Sequence, residues 1–216
     1  MNKNLVSYYK DRAQEYDKIY SKPERQDDIQ NTTSILQATF ANRQVLEIAC
    51  GTGYWTERIA QSATSIYATD INETVIEVAK RKTFSKCQVS FGLADIYNFP
   101  TKNKYESLFA GFIWSHIYLK DLDKFLISVN HLVAPGGTVV FMDNNFVEGS
   151  NHPIDNTDEQ GNTFQTRKLE DGTEHLVLKN FPTEKFLRHK LDGISNNIKI
   201  INLRYYWILS YTTLTG

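Results

Sequence analysis

Apolar and polar positions along the chain alternate between two periods, one suited to amphipathic helices and one to short buried strands. Over Leu5 to Tyr20, the residues Tyr9, Ala13, Tyr16 and Tyr20 recur three or four apart, which places them on one helix face. Lys22-Pro23 breaks that pattern. A second helix, Glu24 to Phe40, then carries Ile29, Thr33, Leu36 and Phe40 on the face that can meet a sheet. The densest signal follows in Gln44 to Ala60, QVLEIACGTGYWTERIA. Val45, Leu46, Ile48 and Ala49 form the apolar run of a strand buried on both faces, interrupted only by Glu47. Gly51-Thr52-Gly53 permits a tight turn and lets a ligand approach main-chain N–H groups, and a helix resumes from Trp55 to Ala60.

Strand patterns return at Ser65 to Thr69, ending on Asp70, and at Cys87 to Phe91, Tyr105 to Ile113 and Thr138 to Met142. Helical patterns separate them at Glu73 to Arg81, with Asn72 as a ready N-cap, and at Leu119 to Val133. Ala134-Pro135-Gly136-Gly137 reads as a stop and turn before the fifth strand. Alternation of this kind predicts an α/β fold with a doubly wound, mostly parallel sheet. The polar segment from Asp143 to Phe181 reads as a loop followed by a hairpin, with Thr163 to Leu169 and Glu174 to Lys179 flanking Asp171-Gly172. A two-residue loop puts Arg167 on one face with Leu169, Leu176 and Leu178, whereas a three-residue loop puts it beside Lys179. A helix from Pro182-Thr183 to Lys190 leads to two strands, Asn197 to Leu203 and Tyr205 to Tyr211, joined by a very tight turn. Tyr205, Tyr206 and Trp207 read as packing residues.

Length and charge narrow the function. The 216 residues suffice for one α/β domain, with residues 1–40 as a helical cap and 143–181 as an insertion. Formal net charge is −1 and there is no basic run, so neither nucleic acid nor an anionic membrane is an expected partner, and a small molecule is. The opening MNKNLVSYYK has no apolar core of a leader and no later run reaches membrane-span length, which points to a cytoplasmic protein. Cys50 and Cys87 are too few for a disulfide scaffold or a zinc cluster, so no metal site is expected.

The glycine turn itself discriminates between ligands. A dinucleotide turn wants a third glycine where Thr56 stands, and an acid at the strand end repels a pyrophosphate. Glu47 suits an amino group instead, and S-adenosylmethionine carries an ammonium, a sulfonium and a carboxylate without phosphate. The segment LEIACGTGYWT resembles the first motif of the class I S-adenosylmethionine-dependent methyltransferases, with Ala49 in place of that motif's first glycine. YYKDRAQEYD resembles the segment that closes over the cofactor in small-molecule members, and Gly92-Leu93-Ala94-Asp95-Ile96 resembles the third motif.

That resemblance implies a Rossmann-like sheet of seven strands closed by an antiparallel C-terminal hairpin. It also implies a cofactor set of Arg12, Tyr16, Glu47, Ala49, Gly51, Gly53, Trp55, Asp70, Ile71, Asp95, Ile96 and Gly111. Asp70 would accept the ribose hydroxyls, since Asn72 is available to cap the helix; Asp95 and Ile96 would meet the adenine. Trp114-Ser115-His116 follows the fourth strand, where ligand crevices of open sheets lie, making His116 the base candidate against a structural or substrate-shaping histidine. The ordered pieces SYYKDRAQEYD, LEIACGTGYWT, WSHI and RKLEDGTEHLVLKNFPTEKF resemble methyltransferases of small acids, including the phosphonate O-methyltransferase of phosphonate antibiotic biosynthesis. On that basis Tyr9, Trp114, Arg167 and Lys179 are substrate candidates, the last two against the plain alternative of solvated hairpin charges. The function so implied is O-methylation of a small anionic acceptor by a monomer or homodimer. A non-catalytic adenosylmethionine or adenosylhomocysteine binder and an NAD-dependent oxidoreductase are the alternatives.

Overall fold

A computed structural model describes residues 16–100, 103–169 and 171–215. The first expected helix therefore lies mostly outside the described residues, and its end, Tyr16–Ser21, is a 3-10 turn. A second 3-10 turn, Pro23–Arg25, leads directly into α1, Gln26–Phe40; Pro23 fits there because an N–H at a helix start has no intrahelical acceptor. The central segment forms β1 (Gln44–Ile48) and α2 (Tyr54–Ile59). Next come β2 (Ser65–Asp70), α3 (Glu73–Ala79), β3 (Gln88–Leu93) and β4 (Tyr105–Gly111). The chain continues through α4 (Leu122–Leu132), β5 (Val133–Asn144), the short β6 (Asn156–Thr157), β7 (Thr163–Lys168) and β8 (Glu174–Leu178). It closes with α5 (Glu184–Leu191), β9 (Ser195–Asn202) and β10 (Tyr206–Thr213).

Seven strands form one sheet in the order β3-β2-β1-β4-β5-β10-β9, and β6, β7 and β8 form a separate three-stranded sheet. β1 pairs in parallel with β2 and β4, β2 with β3, and β4 with β5, while β10 runs antiparallel to both of its neighbours. Helices cover both faces, as the expected doubly wound architecture requires. On one face α4 and α5 bury Phe125, Val129, Leu187 and Leu191 against Leu46, Leu108 and Phe141. On the other, α1 and α2 bury Ile29, Leu36, Phe40 and Ile59 against Val45, Phe109 and Val140. Successive strand residues thus supply opposite cores, which is why β1 reads as a nearly unbroken apolar run.

Two boundaries differ from the sequence expectation for identifiable reasons. β5 begins at Val133 and ends at Asn144, because Trp207 and Tyr206 of β10 continue to pair with Asp143 and Asn144. Asp143 therefore belongs to the sheet, and the insertion starts after it. At the other end, the pairing of β4 with β5 shifts register between Tyr105 and Ser107, and Gly137 sits in that crowded place. A Cβ there would lie 2.8 Å from the Glu106 carbonyl oxygen and 2.9 Å from that of Ala134.

The hairpin also takes the longer of its two candidate loops. Arg167 pairs with His175 and Gln165 with Val177, and the Leu169 amide donates to the Thr173 carbonyl, which is the register of the three-residue loop. Arg167 consequently shares its face with Gln165 and Leu169 on its own strand and with His175, Val177 and Lys179 across from it, while Leu176 is exposed. One residue of loop length moves the arginine from a leucine face to a cationic one.

Candidate functional site

The carboxyl ends of β1, β2 and β4 meet over the glycine turn. Three residues there adopt left-handed backbone: Ala49 at φ 55°, Gly51 at φ 54° and Gly53 at φ 77°. Ala49 thus takes the conformation that a glycine would hold more cheaply, by about 1 kcal/mol. Gly53 is needed for space as well, since a Cβ would lie 3.1 Å from the Ala79 Cβ of α3. Asp70, at the end of β2, ties the turn down. Its Oδ2 accepts from the Gly51 amide at 3.0 Å and its Oδ1 from the Asn72 amide at 2.9 Å. Asn72 caps α3 by accepting from the Thr74 amide. Burial raises the Asp70 carboxyl, and these amides oppose it.

Glu47 is 2% exposed, and burial pushes its carboxyl up to about 8, with the Asp70 charge adding to the rise. The Thr56 hydroxyl and Lys82 pull the other way. Even so, Glu47 Oε2, Thr56 Oγ1 and Trp55 Nε1 are buried with no hydrogen-bond partner among the described residues. A cluster of this kind is costly in an empty site and suits a polar ligand. Cys50, beside it, is buried and its thiol is raised well above the usual range, so it is an inert packing residue.

Other expected cofactor residues fall around the same edge. Ile96 is buried, and with Ile48, Ala49, Thr69, Ala94, Phe99 and Ile113 it lines a small apolar cavity of about 20 Å³. Asp95 accepts from the Tyr97 amide at 3.0 Å, capping the short turn Ile96–Asn98. Ile71 is half-buried after Asp70, and Gly111 ends β4 opposite Met142 of β5. Tyr9 and Arg12 lie outside the described residues, and of Tyr16 only the backbone is described. Its neighbour Asp17 accepts from Thr52 Oγ1 at 2.5 Å and from Lys82 Nζ at 3.1 Å, so the turn Tyr16–Ser21 is fastened to the glycine turn. Tyr20 stacks on Tyr54 at 3.7 Å, and Arg58 lies 3.4 Å from the other ring's centre. No local pattern marks Asp17, Thr52 or Lys82, because their contacts join segments far apart in sequence.

The opposite side of the crevice is built from the turn Trp114–His116, the end of β5 and the inner face of the hairpin. Trp114 is packed edge-on against Phe141 and Trp207, and lines a cavity of about 320 Å³ with Leu119, Phe181 and Phe186. His116 Nδ1 lies 2.6 Å from the Leu178 carbonyl oxygen, which can only accept, so the proton sits on Nδ1. Burial, then the charges of Lys179 and Arg167, hold this imidazole well below the ordinary histidine range. Lys179, 2% exposed, donates to Asp143 Oδ1 and to Ser115 Oγ, each at 2.7 Å. Burial pushes its ammonium down to about 8 although Asp143 resists. Arg167, 9% exposed, donates through Nη2 to Gln165 Oε1 at 3.1 Å. Neither cation is solvated. Asp143 and Ser115 escaped the sequence reading, since nothing short-range links them to Lys179.

A seven-stranded sheet of this order, with a glycine turn after β1 and an acid ending β2, defines the class I methyltransferase fold, and residues 45–137 match the family described as a methyltransferase domain. Among solved structures, the chain is similar to one described as "DhpI-SAH complex structure", at TM-score 0.80 and 24% identity, covering 99% of this chain and 97% of that one. A second, "DhpI-SAM-HEP complex", gives TM-score 0.77 and 24% identity over 96% of this chain and 95% of that one. Malonyl-[acyl-carrier protein] O-methyltransferase 2 of Ilyobacter polytropus is 32% identical over 104 residues, 45% of this chain and 38% of that protein. The chain spans about half or less of the length of the curated relatives it matches.

Proposed function

We propose that this chain transfers a methyl group from S-adenosylmethionine to an oxygen of a small anionic acceptor. The observation that carries this reading is the placement of Lys179 and Arg167, both buried, on the inner face of the hairpin beside the carboxyl edge of the sheet. Lys179 already meets Asp143, and two positive charges gathered on one buried face favour an anionic acceptor such as a carboxylate or phosphonate.

The residues at the glycine turn fit the cofactor. The buried Glu47 carboxyl has an oxygen without a partner, as an ammonium requires. Asp70 already accepts two amides and keeps lone pairs for ribose hydroxyls, and Ile96 with Ala49 presents apolar surface at the same edge against which an adenine ring can pack. S-adenosylmethionine, when bound, supplies a methyl made electrophilic by its sulfonium. What remains for the chain is to align the acceptor oxygen with that carbon and to exclude water. Lys179 and Arg167 hold the acceptor, arginine as a fork and lysine as a point charge. His116 is neutral at physiological pH and too weak a base to keep a proton, so it orients and shapes the site. An already ionised oxygen needs no base, which agrees with an acid as acceptor. The names of two similar proteins, one a complex with SAM and HEP and one a malonyl-[acyl-carrier protein] O-methyltransferase, support the methyl-transfer part of this reading.

The test is to incubate the protein with S-adenosylmethionine and parallel panels of small carboxylic acids, phosphonates, neutral alcohols and amines, measuring S-adenosylhomocysteine. Turnover confined to the acids supports the proposal. Turnover confined to the neutral acceptors, or cofactor binding without turnover on any panel, refutes it.

A further inference from the structure

The end of β5 holds a buried carboxylate that the methyl transfer above does not use. Asp143 is fully buried, and its two oxygens reach three elements. Oδ2 accepts from the Ser115 amide at 3.0 Å, and Oδ1 accepts from the Asn144 amide at 2.8 Å and from Lys179 Nζ at 2.7 Å. Ser115 answers at a second point, its Oγ accepting from the same ammonium. Two of the three N–H bonds of Lys179 are thereby fixed, and the third has no hydrogen bond among the described residues. A side chain with four rotatable bonds is held in one pose.

We propose that Asp143 is a positioning residue that keeps Lys179 in place as a fixed positive charge for the anionic acceptor. The proposal rests on the acceptor reading of Lys179 given above. The other charged and titratable groups facing this ammonium argue that the carboxylate is necessary. Arg167 on β7, Arg25 before α1 and His116 in the turn after β4 all surround it, and each positive charge among them favours loss of its proton. Burial acts in the same direction, and Asp143 is the group that opposes both. Ser115 alone orients the ammonium without stabilising its charge to a comparable degree.

The experiment uses the full chain saturated with S-adenosylhomocysteine, with sulfate as probe because its charge is constant from pH 6 to pH 9. Calorimetry measures sulfate affinity across that range, and NMR of lysine labelled at Cε measures the Lys179 titration directly. In Asp143→Asn the Lys179 titration should move down by at least one pH unit. The variant should then bind sulfate more weakly at pH 7.5 than at pH 6 by about fourfold or more, and recover on acidification. A role limited to folding gives a loss equal at every pH, and that result, or an unmoved Lys179 titration, overturns the proposal. Ser115→Ala supplies an independent check if Asp143→Asn does not fold. With the carboxylate retained, its Lys179 midpoint should stay within about half a unit of wild type, and a fall as large as one unit refutes the assignment. Absence of sulfate binding by the wild type, alongside a shifted Lys179 titration in Asp143→Asn, would instead remove the anionic acceptor and leave Asp143 as the group that charges Lys179.

Discussion

Replacing Glu47 by glutamine should make the unliganded protein more stable at neutral pH and remove part of its pH dependence. The carboxyl is pushed from 4.5 in the open chain to about 8 in the fold, chiefly by burial. Between these values the native state binds more protons than the unfolded state, so the contribution of Glu47 is greatest below pH 4.5 and is lost as pH rises toward 8. The slope is about 1.4 kcal/mol per pH unit, or about 2.7 kcal/mol between pH 5 and pH 7. Other buried groups act in the opposite sense. His116, held below 6.5, favours the fold as pH rises through the acid range, and Lys179, lowered from 10.5 to about 8, does so only above 8. Both remain in the variant, so subtracting one protein from the other cancels them. Urea unfolding followed by circular dichroism at pH 5, 6 and 7 gives the difference. The advantage of Glu47→Gln should grow by about 2.7 kcal/mol over that span. A difference that stays flat with pH would refute the protonated, ligand-poor carboxyl on which the cofactor assignment leans.

Three further outcomes follow from the same geometry. Gly137→Ala should lower stability by about 3 kcal/mol in denaturant titration, because the added methyl meets two carbonyl oxygens under 3 Å away; wild-type stability would show that the β4–β5 irregularity relaxes at no cost. Lys179→Met should cost about 3–5 kcal/mol by leaving the buried Asp143 charge without its cation, and adding Asp143→Asn should restore most of it; a double variant no more stable than the single one contradicts the pair. For His116, neutral across the working range, kcat/KM should show no limb near pH 6.5, and a limb there that disappears in His116→Gln would reinstate it as the base.

What was legible in the sequence was what neighbouring residues decide. β1, the glycine turn and α2 are contiguous, and Asp70 ends the next strand, so the one stretch from Gln44 to Asp70 announces the cofactor side. Ala49 was recognisable as the substitute for a glycine from the motif that its segment resembles, and it adopts the left-handed backbone that a glycine would hold more cheaply. The hairpin side is different in kind. The hairpin's register depends on one residue of loop length, and Thr163–Lys168 with Glu174–Leu178 fit either loop by pattern alone. Lys179 finds Asp143 across 36 positions and Ser115 across 64, and His116 finds Leu178 across 62. No periodicity encodes such pairings. They arise when the insertion folds back on the sheet edge, and they turn apparently solvated charges into buried ones.

The two sides of the crevice share one physical device with opposite sign. Glu47 is a buried acid raised to about 8, and Lys179 a buried base lowered to about 8, each moved mainly by desolvation. Glu47 is thus poised to be charged by a ligand of opposite sign, an ammonium, whereas Lys179, at about 8 and held up by Asp143, already carries its charge at neutral pH. The carboxyl has a buried oxygen with no partner, whereas the ammonium is already anchored by Asp143 and Ser115. The difference matches the separate demands of the two ligands under the proposed function. A cofactor must enter and leave at every turnover, so its charge partner can be left uncharged between visits. The acceptor must be held in line with a carbon for the reaction to proceed, so its cation has to be fixed before it arrives. Preorganisation is therefore spent where alignment decides the rate, on the side of the site that the sequence left least visible.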